Sequence, residues 1–155
     1  MNKSSKRYKE ILKNSIKDKK IEAKEAIELV KKNSTTKFDE SIFGKNLKTC
    51  SNNPLTGAYR NGCCETGPND IGTHTVCAIV SDKFLEFSKK MGNDLTKDYP
   101  EYNFKGLKDG DKWCLCVSRW IEAHKAGCAP KIILEATNLK TLDYVSFETL
   151  LEYKA

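Results

Sequence analysis

Two cysteine elements, Cys63-Cys64 and Cys114-x-Cys116, most constrain what this chain can fold into. Residues 59–80 (YRNGCCETGPNDIGTHTVCAIV) hold three of the seven cysteines, one of the two histidines and the densest run of turn residues. Residues 110–127 (GDKWCLCVSRWIEAHKAG) look built to meet them. Together the two stretches bring enough sulfur and imidazole for a metal or thiol site, and any fold must let them meet. They do not by themselves name a reaction.

Where such a site would operate depends on redox compartment. No apolar run approaches the roughly 18 residues of a membrane span. The N-terminus is basic but lacks the apolar stretch of a signal peptide. The expectation is therefore a cytoplasmic protein whose cysteines are reduced, metal-bound or catalytic rather than a disulfide framework. An odd count of seven leaves at least one thiol unpaired in any case.

Charge separates the chain into two parts. The net charge is +6 over 155 residues. Residues 1–42 carry 12 Lys and Arg against 7 Asp and Glu, so +5 of it lies there, and residues 43–155 are close to neutral with 15 against 14. The basicity thus says little about what the main domain binds. The first part reads as two amphipathic helical stretches, with Tyr8, Ile11, Leu12 and Ile16 on one face and Ile21, Ala23, Ala26, Ile27 and Val30 on another.

From residue 43 the character changes to Gly, Asn, Pro and Thr. SNNPLTG and ETGPNDIG are turn signals inside a loop long enough to need something to hold it. TVCAIV predicts a buried strand. Ser81 or Asp82 caps a helix through DKFLEFSKKMG, with Gly92 as its stop. Asp109 or Asp111 is read as the cap of a second helix through WCLCVSRWIEAHKAG, which places Trp113, Cys116, Val117, Trp120, Ile121 and His124 on one face. KIILE predicts a strand, residues 142–145 a further one, and Ser146 caps a last helix. The order β, α, α, β, β, α predicts a small α+β domain with few strands and cysteine-rich loops.

Two resemblances add to this reading. KRYKEILKN followed by KEAIELVKKNSTTKFDESI, over residues 5–42, resembles the N-terminus of the large-subunit ribosomal stalk protein (the L-one family). There this segment begins a strand of an RNA-binding domain that is completed from the far C-terminus. Nothing after Phe43 continues that pattern, so the likeness implies a fused fragment and, at most, weak electrostatic association with RNA through Lys6, Arg7, Lys9 and Lys13. Residues 43–152 carry C-S-x-x-P-x-T-G-x-x-R-x-G-C-C-x-T-G-P-x-D-x-G-x-H-x-V-C-A, then F-L-x-F-S, G-N-D-L, G-L-K-x-G-D-x-W-C-L-C and L-E-A-T. This resembles the small bacterial family of unknown function numbered 2237. Its implication is an autonomous domain with no assigned activity; Cys128 and His124 fall outside its motif.

The chemistry the residues support stays open between readings. A soft metal, zinc first, suits four thiolates. The leading ligands are Cys63, Cys64, Cys114 and Cys116, with Cys50 and His74 in reserve and a structural role for the ion. A thiol enzyme acting on a small molecule would use Cys64 or Cys114 as nucleophile and His74 as base. Asp70 or Glu65 would orient that base, and Arg60 or Arg119 would anchor an anion. RNA association through the N-terminal helices is a third reading. Structural thiols are the fourth: Cys77 suits a core position, Trp113 and Trp120 suit core packing, and Arg60 and Asp70 suit turn backbone. Phosphate-binding glycine loops, H-E-x-x-H, G-x-S-x-G and dinucleotide fingerprints are all missing from the sequence.

Overall fold

The computed structural model describes residues 39–155, which fall in a unit running from Phe38 to Ala155. The segment behind the ribosomal-protein resemblance, with Lys6, Arg7, Lys9 and Lys13, lies up to residue 38 outside the described residues. Its last residues do not stand apart from the domain. The Ile42 N–H bonds the Thr137 carbonyl at 3.0 Å, Ser41 bridges Asn138, and both Ser41 and Ile42 are buried.

The domain is α+β. Its centre is strand β1 (Val76–Ile79), followed by helix α1 (Asp82–Lys90), strand β2 (Lys112–Leu115), helix α2 (Val117–Lys125), the short strand β3 (Lys131–Ile132) and helix α3 (Phe147–Glu152). The sheet order is β2-β1-β3 with both pairings antiparallel. Period-two alternation along the strands creates two different interiors. Val76 and Ala78 of β1, with Trp113 and Leu115 of β2, enter the main apolar core beside Phe84, Trp120, Leu134 and Leu150. Cys77 and Cys114 take the opposite phase and meet Cys50, Cys64 and Ala136 in a second buried cluster.

Local chemistry explains the helices. The Ser81 hydroxyl accepts the Phe84 N–H, Asp82 sits in the first turn, and Lys89 and Lys90 sit in the last, all favourable to the helix dipole. The Ser146 hydroxyl accepts the Thr149 N–H at α3. The sequence-predicted helix through WCLC is the main departure. Lys112–Leu115 instead pairs with β1, because Trp113, Cys114 and Leu115 gain a sheet partner and burial on both faces. The helix therefore begins only at Val117, with Cys116 as its N-cap. The strand expected at 142–145 is a 3-10 turn, Leu139–Asp143, started by the Asn138 side chain accepting the Lys140 N–H. KIILE is a strand only over Lys131–Ile132 before a second 3-10 turn, Leu134–Ala136. No helix among the described residues is long and apolar enough to cross a membrane.

Candidate functional site

The seven cysteines separate into two populations, and the register between β1 and β2 decides which is which. Cys77 and Cys114 are direct cross-strand partners, so their sulfurs leave the same face of the sheet side by side. Each is joined to the long loop beneath: Cys50 is disulfide-bonded to Cys77, and Cys64 to Cys114. All four are buried. This corrects the expectation of reduced cysteines. The connectivity arises because the 49–75 loop folds back under the sheet. It is held there by Cys50 N–H to Gly62 O at 2.8 Å, Cys114 N–H to Thr56 Oγ1 at 2.7 Å, and Asn138 Nδ2 to Cys64 O at 3.0 Å. Sequence spacing alone does not give such pairings.

The sulfurs of Cys50, Cys64 and Cys77 lie within 4.8 Å of one another, close enough for three thiolates to hold one metal ion. The expected ligands Cys63 and Cys116 do not belong to this buried cluster. Both are free and half-buried, as is Cys128, and Cys63 faces the Thr49 hydroxyl at 3.8 Å. The cluster thus brings together Cys50, Cys64 and Cys114 of the sequence-predicted set and adds Cys77. Two disulfides across it leave no thiolate there to act as ligand or nucleophile.

Cys116 has a different neighbourhood. As the N-cap of α2 it places its sulfur at the positive end of a nine-residue helix. Beside it is His74, whose ring is about a third exposed (34 %). His74 Nδ1 is 2.5 Å from Asp70 Oδ1, and the His74 backbone N–H donates to Asp70 Oδ2 at 2.7 Å. Asp70 is buried. Burial works against its ionisation, but hydrogen bonds from the His74 amide and ring and from Thr66 outweigh it and hold the carboxyl below the usual carboxylate range. The His74 pKa is raised to about 9, first by its contact with the Cys116 sulfur, against partial burial, and then by Asp70. At neutral pH the ring is therefore an imidazolium, and Nδ1–H donates to Asp70.

The loop that carries these groups is tightly fixed. Thr73 adopts φ 50°, a left-handed conformation costly for a β-branched residue. Three hydrogen bonds hold it there. Its N–H bonds Asp70 O at 3.1 Å, and its carbonyl accepts both the Thr75 N–H at 2.9 Å and the Val117 N–H at 3.0 Å. The last of these ties the His74 loop to the first residue of α2 and so to Cys116. Gly72 fills the remaining gap. A β-carbon there would lie 2.5 Å from His74 Cε1 and 3.0 Å from the Cys116 sulfur, so only glycine lets ring and thiol share the space. Sequence reading offered Asp70 or Glu65 as the orienter of His74, of which the structure has Asp70, and missed Cys116 as its sulfur partner, along with Gly72 and Thr73. Reading WCL as a strand would have placed Cys116 at a helix N-cap and found it.

The other sequence-predicted residues lie elsewhere. Arg60 stands over the Trp113 ring at 5.2 Å, and Glu65 accepts the Asn61 side chain at 2.7 Å. Arg119 pairs with Glu122 on α2 at 2.9 Å. His124 stacks on Trp120 and bonds the Tyr153 hydroxyl at 3.0 Å, a packing role. No curated protein among those compared matches the chain. Residues 40–154, which include all of the 43–152 stretch carrying the cysteine-spacing resemblance, match the family described as an uncharacterized protein conserved in bacteria (DUF2237), and the chain belongs to that family.

Proposed function

We propose that this domain is a thiol-dependent catalyst in which Cys116 is the nucleophile, His74 its acid–base partner and Asp70 the group that orients the ring. The observation that carries the reading is the Asp70–His74–Cys116 alignment, with a buried carboxylate 2.5 Å from the imidazole and a half-exposed sulfur on the imidazole at a helix N-terminus. A cysteine nucleophile needs a neighbouring acid–base group, and His74, itself held by Asp70, is the one beside this sulfur.

Acyl transfer fits this set of groups. The Cys116 thiolate adds to an activated carbonyl, and collapse of the adduct expels the leaving group as it takes the proton held by His74. This leaves an S-acyl cysteine and a neutral imidazole. His74 then removes a proton from water or an acceptor nucleophile, which attacks the thioester and regenerates the thiolate–imidazolium pair. Asp70 keeps the ring in the tautomer and direction both half-reactions need.

The test is intact-protein mass spectrometry after mixing with p-nitrophenyl acetate. One acetyl group on Cys116, absent in Cys116→Ser and slowed in His74→Ala, is expected. Acetylation spread over Cys63, Cys116 and Cys128 at equal rates would overturn the reading.

The closeness of the Cys50, Cys64 and Cys77 sulfurs favours a second reading, a structural soft-metal site, zinc first, in the reduced protein. Reduction of both disulfides by a dithiol would release four thiols. Cys50, Cys64 and Cys77 would supply three ligands, and Cys114, once released from Cys64, is the proposed fourth. Cobalt(II) titrated into reduced protein should give tetrahedral thiolate charge-transfer bands with one-to-one stoichiometry. Their absence would eliminate this reading.

A further inference from the structure

We propose that the recess between the 92–95 loop and the 99–104 hairpin binds a small flat ring carrying a carboxylate. This reading does not depend on the thiol chemistry. The recess has a volume of about 310 Å³ and is lined by Arg60, Asp94, Tyr99, Tyr102, Phe104 and Trp113 among others. That volume lies at the lower end of the range for small-molecule sites.

Its wall is a run of aromatic rings. Tyr99 stacks on Phe104 with centroids 6.4 Å apart, and Phe104 lies 5.0 Å from Trp113. Tyr102 stands at the mouth with 68 % of its surface exposed. A ring at the mouth of an aromatic recess is available to stack on a second ring that enters it. Arg60 supplies the charge. Its guanidinium lies 5.2 Å over Trp113 and donates Nη1 to Leu55 O at 3.1 Å, which leaves further N–H groups of the fork for a ligand. Lys97 adds a second cation over Tyr99 at 5.3 Å. The acidic group on the rim is already occupied: Asp94 pairs with Lys89 at 3.3 Å and accepts the Thr96 N–H and hydroxyl.

Backbone conformation supports the assignment. Three non-glycine residues among the described ones have positive φ. One is Thr73, beside His74. The other two, Arg60 at 53° and Asn103 at 49°, frame this recess. The Arg60 N–H bonds Gly57 O at 3.1 Å, and a β-carbon on Gly57 would strike Cys63 O at 2.4 Å, so the turn that presents the guanidinium is closely packed. The Asn103 N–H closes the turn carrying Tyr102 onto Pro100 O. Asparagine enters the left-handed region readily, so of these two turns only the one at Arg60 holds a costly conformation, of the kind that gathers at binding sites. The planar fork of guanidinium N–H groups on Arg60 matches the two oxygens of a carboxylate.

The test uses 2-naphthoate on the whole chain, followed by amide and indole resonances. Two comparison probes separate the contributions: 2-naphthamide, flat but neutral, and decalin-2-carboxylate, charged but not flat. Saturable shifts at Tyr102, Phe104 and the Trp113 indole are expected with naphthoate. Arg60→Gln should weaken naphthoate about tenfold, the loss of one charge-assisted hydrogen bond, and leave naphthamide unchanged. Tyr102→Ala, at an exposed tip where folding is not at stake, should weaken both flat probes severalfold. Unperturbed spectra of the free variants verify the fold. No saturable shift at millimolar naphthoate, equal affinity in Arg60→Gln, or decalin-2-carboxylate binding as well as naphthoate would each overturn the proposal.

Discussion

Cys114 and Cys116 stand two residues apart and meet opposite fates. Cys114 is 1 % exposed, paired across the sheet with Cys77 and bonded to Cys64, while Cys116 is a free, half-buried thiol beside an imidazole. The difference comes from one structural boundary. β2 ends at Leu115 and α2 begins at Val117, so the chain turns at Cys116 and lifts its sulfur out of the buried cluster onto a helix end. The same contrast holds for adjacent Cys63 and Cys64: one sulfur faces Thr49 near solvent, its neighbour is fully buried. One region uses sulfur as a staple; in the other the sulfur is free, and the proposed function makes it the reactive group. Exposure and neighbours decide between the two roles.

The largest expected effect breaks the staple side. Replacing Cys64 and Cys114 with alanine frees a loop closed over a sequence separation of 50. The loss should be about 4 kcal/mol by loop entropy, read as a lower urea midpoint. Reduction of wild-type protein, which also opens Cys50–Cys77, should lower the midpoint further. Neither change should accelerate alkylation of Cys63 to match Cys116.

On the reactive side, Asp70→Asn keeps the shape of the site but removes the charge that holds the ring. Cys116 should alkylate or acylate about 10²-fold more slowly at pH 7, with the disulfides intact by mass spectrometry. Gly72→Ala is a finer probe. Gly72 is half-buried in a loop, and its β-carbon would push ring and sulfur apart. Reactivity should fall severalfold with little change in the urea midpoint. Equal loss of stability and reactivity would mean that the alignment serves only packing.

The pH dependence of stability is the smallest effect. His74 titrates at about 9 in the folded chain against 6.5 in the unfolded one. A raised folded value contributes stability fully below about pH 6.5, and that contribution fades as pH rises through about 9. With the ring a third exposed, solvent screening leaves on the order of 1 kcal/mol. His74→Gln should flatten the urea midpoint between pH 6.5 and 9.

How much of this was legible in the sequence follows the range of each interaction. Local signals sufficed for β1, for α1 with its cap narrowed to Ser81 or Asp82, for α3 with its Ser146 cap and for the α+β class, because caps and period-two burial act within a few residues. The Asp70–His74 pairing spans four residues and was within reach, with Glu65 as the alternative. The partnership of His74 with Cys116 spans 42 positions and depends on where β2 stops. The helix pattern read through WCLCVSRW hid that boundary, because a strand packed on both faces and a buried helix turn carry similar residues. The disulfides were hidden for the same reason. Cys77 and Cys114 become neighbours only through strand register, and nothing in CC or CLC spacing specifies it.

Competitive alkylation of the three free thiols tests the central contrast most directly. Iodoacetamide is added to the folded, oxidised protein from pH 5 to 9, and each site is quantified by peptide mass spectrometry. The account predicts that Cys116 is modified at least about tenfold faster than Cys63 and Cys128 near pH 6 to 7, and that Asp70→Asn and His74→Ala erase the advantage. Equal rates for all three thiols, or a Cys116 advantage that survives both substitutions, would contradict it.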